Sequence, residues 1–475
     1  MTRTTLDLLG HDGDRVPLTD DQLEDLRARL SGSLLRPGEA GWEQAVRIWN
    51  GMVATTPALV VQPVTAEDVA TTVRWVTHHG LAFSVKGGGH NIAGTAIVAG
   101  GVTIDTSRLR EVTVDPDRNL VRVGAGCLLK HVDEATQQQG LATVLGFVSE
   151  TGVAGLTLGG GFGYLTRRFG YTVDNLEKVE IVAADGSITT ASRHEQPDLF
   201  WVLRGGGGNF GVVTRFTFRL HPVGPTITGG LIAWSAERAD EVLAVYRDLT
   251  AAAPRELTVA VTIRRAPAAP FVPESWHGRR IAALLVCHSG ENAERDLEPI
   301  RDLGEPIVDL VVRKPYVAQQ SMLDPTQPKG LHYYWKTEFL PGLPDGLLDA
   351  FRGQAVRVAS PMSQSIVFHL GGALNERTHD DGAVGNRDVQ YVGGFAGAWS
   401  PDTAADEHVD WVREGWRRIR PFSTGGNYVN FQTADDGPER TAAAYGANLA
   451  RLQEVKRRYD PHNLFRSNRN IQPAS

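Results

Sequence analysis

An α+β fold in two domains is predicted by three observations on the amino-acid sequence. The chain has 475 residues, beyond the ~250–300 at which a single hydrophobic core stops growing. Its first half sets a strand, a helix and a second strand ahead of a glycine-rich loop and then changes to alternating strand patterns. Glycine is dense as far as His221-Pro222 and thins afterwards, where strands mix with amphipathic helices. That shift marks a second domain from residue 223 to about 424.

The elements follow in order. Residues 20–30 read as a helix, with Leu23, Leu26 and Leu30 recurring at helical spacing. Residues 58–63 form a strand. Thr65-Ala66-Glu67-Asp68 is a capping box that opens a helix with Val69, Val73 and Val76 on one face, ended by Gly80. Residues 82–85 are the strand that delivers the loop Lys86-Gly87-Gly88-Gly89-His90-Asn91 at its carboxyl end, where ligands of α/β sheets bind. From 101 to 126 the alternation of Val102 and Ile104, Val112 and Val114, and Val121 and Val123 reads as antiparallel hairpin material. A helix over 128–139 stops at Gly140 and leads to a second glycine-rich stretch, 145–163. A third cluster, 204–211, has GxGxxG spacing in Gly206, Gly208 and Gly211. Residues 212–218 after it alternate as a strand, so the helix that a dinucleotide fingerprint needs is missing and a Rossmann reading fails. In the second domain residues 257–263, 281–286, 331–336 and 364–370 read as strands. The chain closes with Tyr428-Val429-Asn430-Phe431 and a helix carrying Tyr445, Leu449, Leu452 and Val455 on one face, stopped by Asp460-Pro461.

Composition excludes several functions. Acidic and basic residues are interspersed at a net charge of −7, which gives no electrostatic case for nucleic acid or an anionic membrane and favours a neutral or weakly charged small-molecule substrate. Cys127 and Cys287 stand far apart without metal-type spacing, so no disulfide framework, zinc site or other metal is expected. No apolar run has the length of a signal peptide or a membrane span, which makes the cytoplasm the expected compartment. Walker lysine, HExxH and GxSxG motifs are absent. The chain holds 52 glycines, more than the usual ~7%, and their clustering points to backbone that approaches a phosphate closely, with Lys86 as a countercharge. His90 is not needed for such a cradle. A lone histidine is more often structural or solvated, and a buried tyrosine such as Tyr428 is more often bonded to backbone than catalytic.

Taken together, residues 86–91, the block 152–163, the turn 208–214, Tyr428-Val429-Asn430-Phe431 and Tyr459-Asp460-Pro461-His462-Asn463-Leu464-Phe465 resemble, in this order, the berberine bridge enzyme-like branch of the vanillyl-alcohol oxidase superfamily. These are FAD proteins with a PCMH-type two-subdomain cofactor domain. The resemblance implies that 1–222 and 425–475 together form this FAD domain, and that 223–424 is a substrate domain with an antiparallel sheet backed by helices. It implies FAD contacts from Lys86, Gly87, Gly88, Gly89 and Asn91, from Val148, Thr151, Gly152, Gly155, Leu156, Gly159, Gly160, Gly161 and Gly163, and from Gly211, Val213, Tyr428 and Asn430. It implies a covalent bond from His90 to the flavin. Bicovalent members carry a cysteine where this chain has Val148, and Cys127 lies in a different segment, so the linkage resembles that of singly linked members.

The implied activity is an FAD-linked oxidase: hydride leaves an alcohol, sugar or amine C–H for the flavin, and O2 takes the electrons to give hydrogen peroxide. A dehydrogenase with another acceptor and a catalytically silent flavin-binding protein are the alternatives. Tyr428 holds the family position of the base, Lys336 is expected to favour its phenolate, and Tyr391 is a second catalytic candidate. Tyr333, Trp335, His369 and Tyr391 are expected around the substrate, and Thr151 is expected to leave space for oxygen.

Overall fold

A computed structural model describes residues 5–358 and 360–475. The glycine loop is set by a four-stranded sheet in the order Ser33–Leu35, Leu59–Gln62, Val102–Asp105, Phe83–Lys86, in which the last three strands run parallel. Helix Ala66–His78 lies on this sheet, packing Val69, Val73 and Val76 against Leu59, Val61, Phe83, Val102 and Ile104. Its expected capping box is present: the Asp68 amide donates to Thr65 Oγ1 at 3.1 Å and the Thr65 amide to Asp68 Oδ2 at 3.3 Å. Such a cap is worth about 1 kcal/mol. Helix Asp20–Arg29 begins with a second box, from Thr19 and Gln22.

The structure corrects one strand assignment. Val112–Asp115 and Leu120–Gly124 form a hairpin, but Val102–Asp105 lies between two parallel partners in the other sheet. All four of its residues are buried, as parallel strands covered on both faces require. Its alternation alone could not distinguish the two settings.

The hairpin belongs to a five-stranded antiparallel sheet, Ile188–Ser192, Leu176–Val182, Val212–Arg219, Leu120–Gly124, Val112–Asp115. Val212–Arg219 directly after the third glycine cluster is therefore a strand, which agrees with rejecting a Rossmann reading.

The largest sheet runs Val308–Asp309, Thr226–Ser235, Arg280–His288, Leu257–Arg265, Gln364–His369, Tyr391–Trp399, His332–Leu340, all antiparallel, with Val312–Pro315 also paired to Thr226–Ser235. Side chains alternate across it. Val259, Val261, Ile263, Leu284, Val286, Val367, Phe395 and Trp399 face helices Ala239–Ala252, Asp345–Ala355 and Asp406–Ile419 in the largest core. Fully burying each Val, Leu, Ile or Phe contributes about 1.5–3 kcal/mol. The opposite face is turned toward the glycine-rich loops.

The C-terminal segment runs back over the first half of the chain. Leu452, Val455 and Ile471 share a core with Val121, Phe200, Phe210 and Phe216. The single helix expected there is two, Pro438–Tyr445 and Leu449–Tyr459. Gly446 at φ +55° separates them, in a left-handed conformation that glycine adopts without a Cβ penalty.

Candidate active site

A cavity of about 440 Å³ opens between the glycine-rich loops and the free face of the large sheet. Its cofactor side is backbone. Gly88 and Gly152 touch so closely that a Cβ on Gly88 would lie 2.5 Å from the Gly152 nitrogen, so side chains are excluded where the first two glycine clusters meet. Among the described residues no group accepts a hydrogen bond from the amides of residues 87–91. Gly89 turns the loop at φ +66°. Such a run of unshared N–H groups suits a pyrophosphate.

His90 lines this cavity, and its Nε2 is buried without a hydrogen-bond partner. The ring is held by stacking: Trp49 lies nearly parallel to it at 4.4 Å between centroids, and Tyr333 stacks on Trp49 at 3.7 Å. Trp49 is anchored by its indole N–H on the Gln327 carbonyl at 3.0 Å. Burial, chiefly, pulls the His90 pKa down to about 4, so the imidazole is neutral near pH 7 and its nitrogen lone pair is available.

Most of the expected cofactor residues line the cavity: Gly87, Gly88, Gly89 and Asn91; Val148, Thr151, Gly152, Gly155, Leu156 and Gly159; Gly211, Val213, Tyr428 and Asn430. Four do not. Lys86 is outside the lining, its ammonium donating to the Ala45 carbonyl at 2.7 Å and pairing with Asp105 at 3.3 Å, so its charge is already matched and it is not the countercharge. Gly160, Gly161 and Gly163 shape the turn behind the wall. Gly160 and Gly161 have φ of +114° and +75°, and a Cβ on Gly163 would strike the Leu145 carbonyl. Cys127 and Cys287 are buried free thiols outside the lining, their pKa values pushed up by burial to about 11 and about 12.

Tyr428 stands at the junction of the two sides, buried among Phe162 and Phe431, both 4.9 Å away between centroids. Its hydroxyl oxygen accepts from the Gly161 amide at 3.1 Å and from Asn430 Nδ2 at 2.9 Å. Burial raises its pKa to about 12, and these two donors act in the opposite direction. With both neighbouring groups donating, the phenolic proton has no acceptor in either of them.

Strand parity overturns most of the remaining expectations. On His332–Leu340, Trp335 and Thr337 line the cavity while Lys336 faces the helices, bound to Asp435 at 3.0 Å and Asp436 at 2.7 Å. Lys336 therefore does not serve Tyr428. On Gln364–His369, Gln364, Ile366 and Phe368 face the cavity, and His369 lies behind the sheet against Arg167 at 2.5 Å. Tyr391 is behind it too, its hydroxyl 2.8 Å from Thr250 Oγ1 and its ring 5.3 Å from His369. Tyr333 acts through the Trp49 stack, with its hydroxyl donating to the Pro328 carbonyl at 2.6 Å. Of the four expected substrate residues only Trp335 lines the cavity.

Sequence reasoning missed Trp49, Arg264, Gln364, Asn468 and Arg469, all in the lining. The alternation of Ala260, Thr262 and Arg264 carried a signal for one of them: the first two are small, as a cavity floor requires. For Trp49 there was none, because its partners are distant in sequence.

Known proteins agree with this geometry. Residues 57–192 match the family model described as FAD binding domain, and 427–472 match the model described as berberine and berberine like. An FAD-linked oxidoreductase of Dictyostelium discoideum is 30% identical over 455 residues, covering 94% of this chain and 95% of that protein. (R)-6-hydroxynicotine oxidase of Paenarthrobacter nicotinovorans is 28% identical over 462 residues, covering 94% and 97%. The crystal structure of 6-hydroxy-D-nicotine oxidase from Arthrobacter nicotinovorans superposes with a TM-score of 0.84 at 27% identity, covering 94% of this chain and 98% of that one. A fold of this kind around a glycine-lined cavity is that of a flavoprotein, and the chain belongs to the berberine bridge enzyme-like FAD-linked oxidoreductases.

Proposed function

We propose that the protein is an oxidase that holds FAD by one covalent bond, through His90, and removes a hydride from an alcohol, sugar or amine C–H, with Tyr428 as the base and O2 as the electron acceptor. Bound FAD supplies a two-electron hydride acceptor that O2 returns to its oxidised form as hydrogen peroxide is released. The observation that carries the reading is Tyr428: a phenol in the cavity wall whose oxygen is already fixed by two donors. Those donors stabilise its phenolate, which takes the proton from the substrate O–H or N–H as hydride leaves the adjacent carbon. No Asp, Glu or Lys lines the cavity among the described residues to compete for the role.

Attachment through His90 alone is supported by its unpartnered Nε2, by the Trp49 stack that fixes the ring, and by Val148 in place of a thiol. Thr151 in the lining leaves a small side chain for oxygen approach. The glycine-rich residues would hold the FAD pyrophosphate. In this reading 1–222 and 425–475 form the cofactor domain and 223–424 the substrate domain. Two free thiols suit the cytoplasm, which cell fractionation checks. No helix among the described residues is long and apolar enough to cross a membrane.

Two experiments test the proposal. Acid-precipitated protein should retain flavin on a peptide containing His90, and His90→Ala should release it. Anaerobic substrate should bleach the flavin, and admitted O2 should restore it with peroxide. Tyr428→Phe should slow the bleaching about 10²–10⁴-fold with covalent flavin intact. A loss below about threefold would remove Tyr428 from the role, since general-base assistance is larger than that.

A further inference from the structure

The cavity wall contains no carboxylate among the described residues but two arginines, Arg469 and Arg264. Arg469 is committed near the third glycine cluster, donating to the carbonyls of Gln432 at 2.6 Å and Thr433 at 2.7 Å. Arg264 is not. It is the last cavity-facing residue of strand Leu257–Arg265, paired in register with Gln364 on one side and Ile281 on the other. Its Nε is buried with no partner, and no acid among the described residues offsets the burial that lowers its pKa. Ile281, its neighbour in register, packs with Val272 in an apolar cluster. A guanidinium in such a setting is costly unless a ligand pairs it.

Its position is away from the flavin side of the cavity. Ala260, four residues back along the strand, pairs with Phe368, which stacks on Phe147 next to Val148 at 4.8 Å. Four residues of strand span about 13 Å. Across the sheet, the row Arg264, Gln364, Ala396, Trp335 ends beside Phe431 and the His90 stack. Three strand spacings are about 14 Å. Between these ends the floor is mostly apolar, with Ala260, Ala283 and Ile366 beside Thr262. Gln364 is held by Thr262, whose one hydroxyl proton is shared between Gln364 Oε1 at 2.9 Å and the Ser365 carbonyl at 3.0 Å; its amide nitrogen has no acceptor among the described residues.

Resting on the oxidase reading, we propose that the substrate is an amphiphilic carboxylic acid. Arg264 and Gln364 bind the carboxylate, and an apolar body crosses the sheet face to bring the oxidisable C–H to Tyr428. A planar guanidinium pairs with a carboxylate through two parallel hydrogen bonds, which an uncharged amide cannot reproduce.

The test measures binding without turnover, so its result is independent of whether the protein is an oxidase. The non-oxidisable pair 4-phenylbutyrate and 4-phenylbutyramide is titrated into the flavin-loaded protein, and the shift in flavin absorption is read. The acid should bind about tenfold to a hundredfold more tightly than the amide. Arg264→Gln should abolish that preference and leave amide affinity and flavin content unchanged, without lowering the melting temperature. Arg264→Lys should keep the charge, lose the fork and retain part of the preference. It serves as the readout if Arg264→Gln fails to fold. Equal binding of acid and amide, no shift with either at millimolar concentration, a preference that survives Arg264→Gln, or one undiminished in Arg264→Lys overturns the assignment.

Discussion

At the scale of single residues, the chemistry depends on how two side chains are held. Tyr428 carries two donors and a pKa raised by burial to about 12. A group that must be deprotonated to act, with a pKa above the working range, gives a reduction rate that rises with pH until that pKa is passed. Asn430→Ala removes the 2.9 Å donor, leaves only the Gly161 amide against burial and raises the pKa further. A hydrogen bond to a charged group is worth about 1.5–3 kcal/mol, which at 1.36 kcal/mol per pH unit is about 1–2 units. Stopped-flow reduction from pH 6 to 10 should therefore show the Asn430→Ala profile displaced toward alkaline pH by about that amount. Because that range lies below the pKa, the displacement reads as reduction about tenfold to a hundredfold slower at every pH with the same rise; reduction as fast as in the wild type would mean that Asn430 does not hold the phenol. His90 is held by a stack, not a hydrogen bond, so Trp49→Ala should slow incorporation of flavin into apoprotein while leaving the final covalent yield intact. Single-turnover flavinylation followed by acid precipitation checks this, and an unchanged rate would make the stack incidental.

At the scale of elements, parity decides which side chains reach the cavity. The aromatic strand His332–Leu340 was recognisable from its sequence, but which of its faces looked inward was not, because both carry rings and polar groups. Lys336, Tyr391 and His369 fall on the helix side for this reason. Tyr391→Phe should leave flavin reduction within about twofold of wild type while costing about 1 kcal/mol in denaturant unfolding, the net worth of its hydrogen bond to Thr250. A large loss of reduction rate would bring Tyr391 back into the catalytic account. His369 adds a pH dependence. Burial, then Arg167, push its pKa down to about 2, whereas an unfolded histidine titrates near 6.5. The unfolded chain therefore binds the extra proton below about pH 6.5, so stability is highest above that pH and falls on acidification. His369→Gln should flatten the decline of the melting temperature between pH 7 and 5. An identical slope would assign the decline to other groups, such as His90 and His221, whose pKa values are also lowered.

At the scale of the whole molecule, what was legible were local signals and their order: glycine clusters, capping boxes, alternating strands and the terminal Tyr428-Val429-Asn430-Phe431. Contacts between distant segments were not, because no local pattern encodes the partner. Lys86 reads as a phosphate ligand beside three glycines until Ala45 and Asp105 are seen to hold it. The net charge of −7 likewise says nothing of a cavity whose charged side chains are two arginines. The contact that ties the chain's last residues to the third glycine cluster is of the same kind. Lys456 and Asp460 are wholly buried, and the ammonium donates to Asp460 Oδ2 at 2.6 Å, the Asn209 carbonyl at 2.7 Å and the Phe465 carbonyl at 3.1 Å. Asp460 in turn accepts from the amides of Leu464 and Phe465, each at 2.9 Å. All three ammonium protons are thus used, and one of them reaches Asn209, 247 residues away in sequence. Lys456→Met keeps the length of the side chain but leaves Asp460 as a buried charge without its cation, at a cost of about 3–5 kcal/mol. The glycine turn around Asn209 borders the cavity, so loss of its anchor should weaken FAD retention in the His90→Ala background, where no covalent bond masks the effect. The double variant should release FAD more readily on gel filtration than His90→Ala alone and unfold at lower denaturant. Equal retention and an unchanged midpoint would show that the terminal segment is held by its apolar contacts and that the Lys456 cluster contributes little.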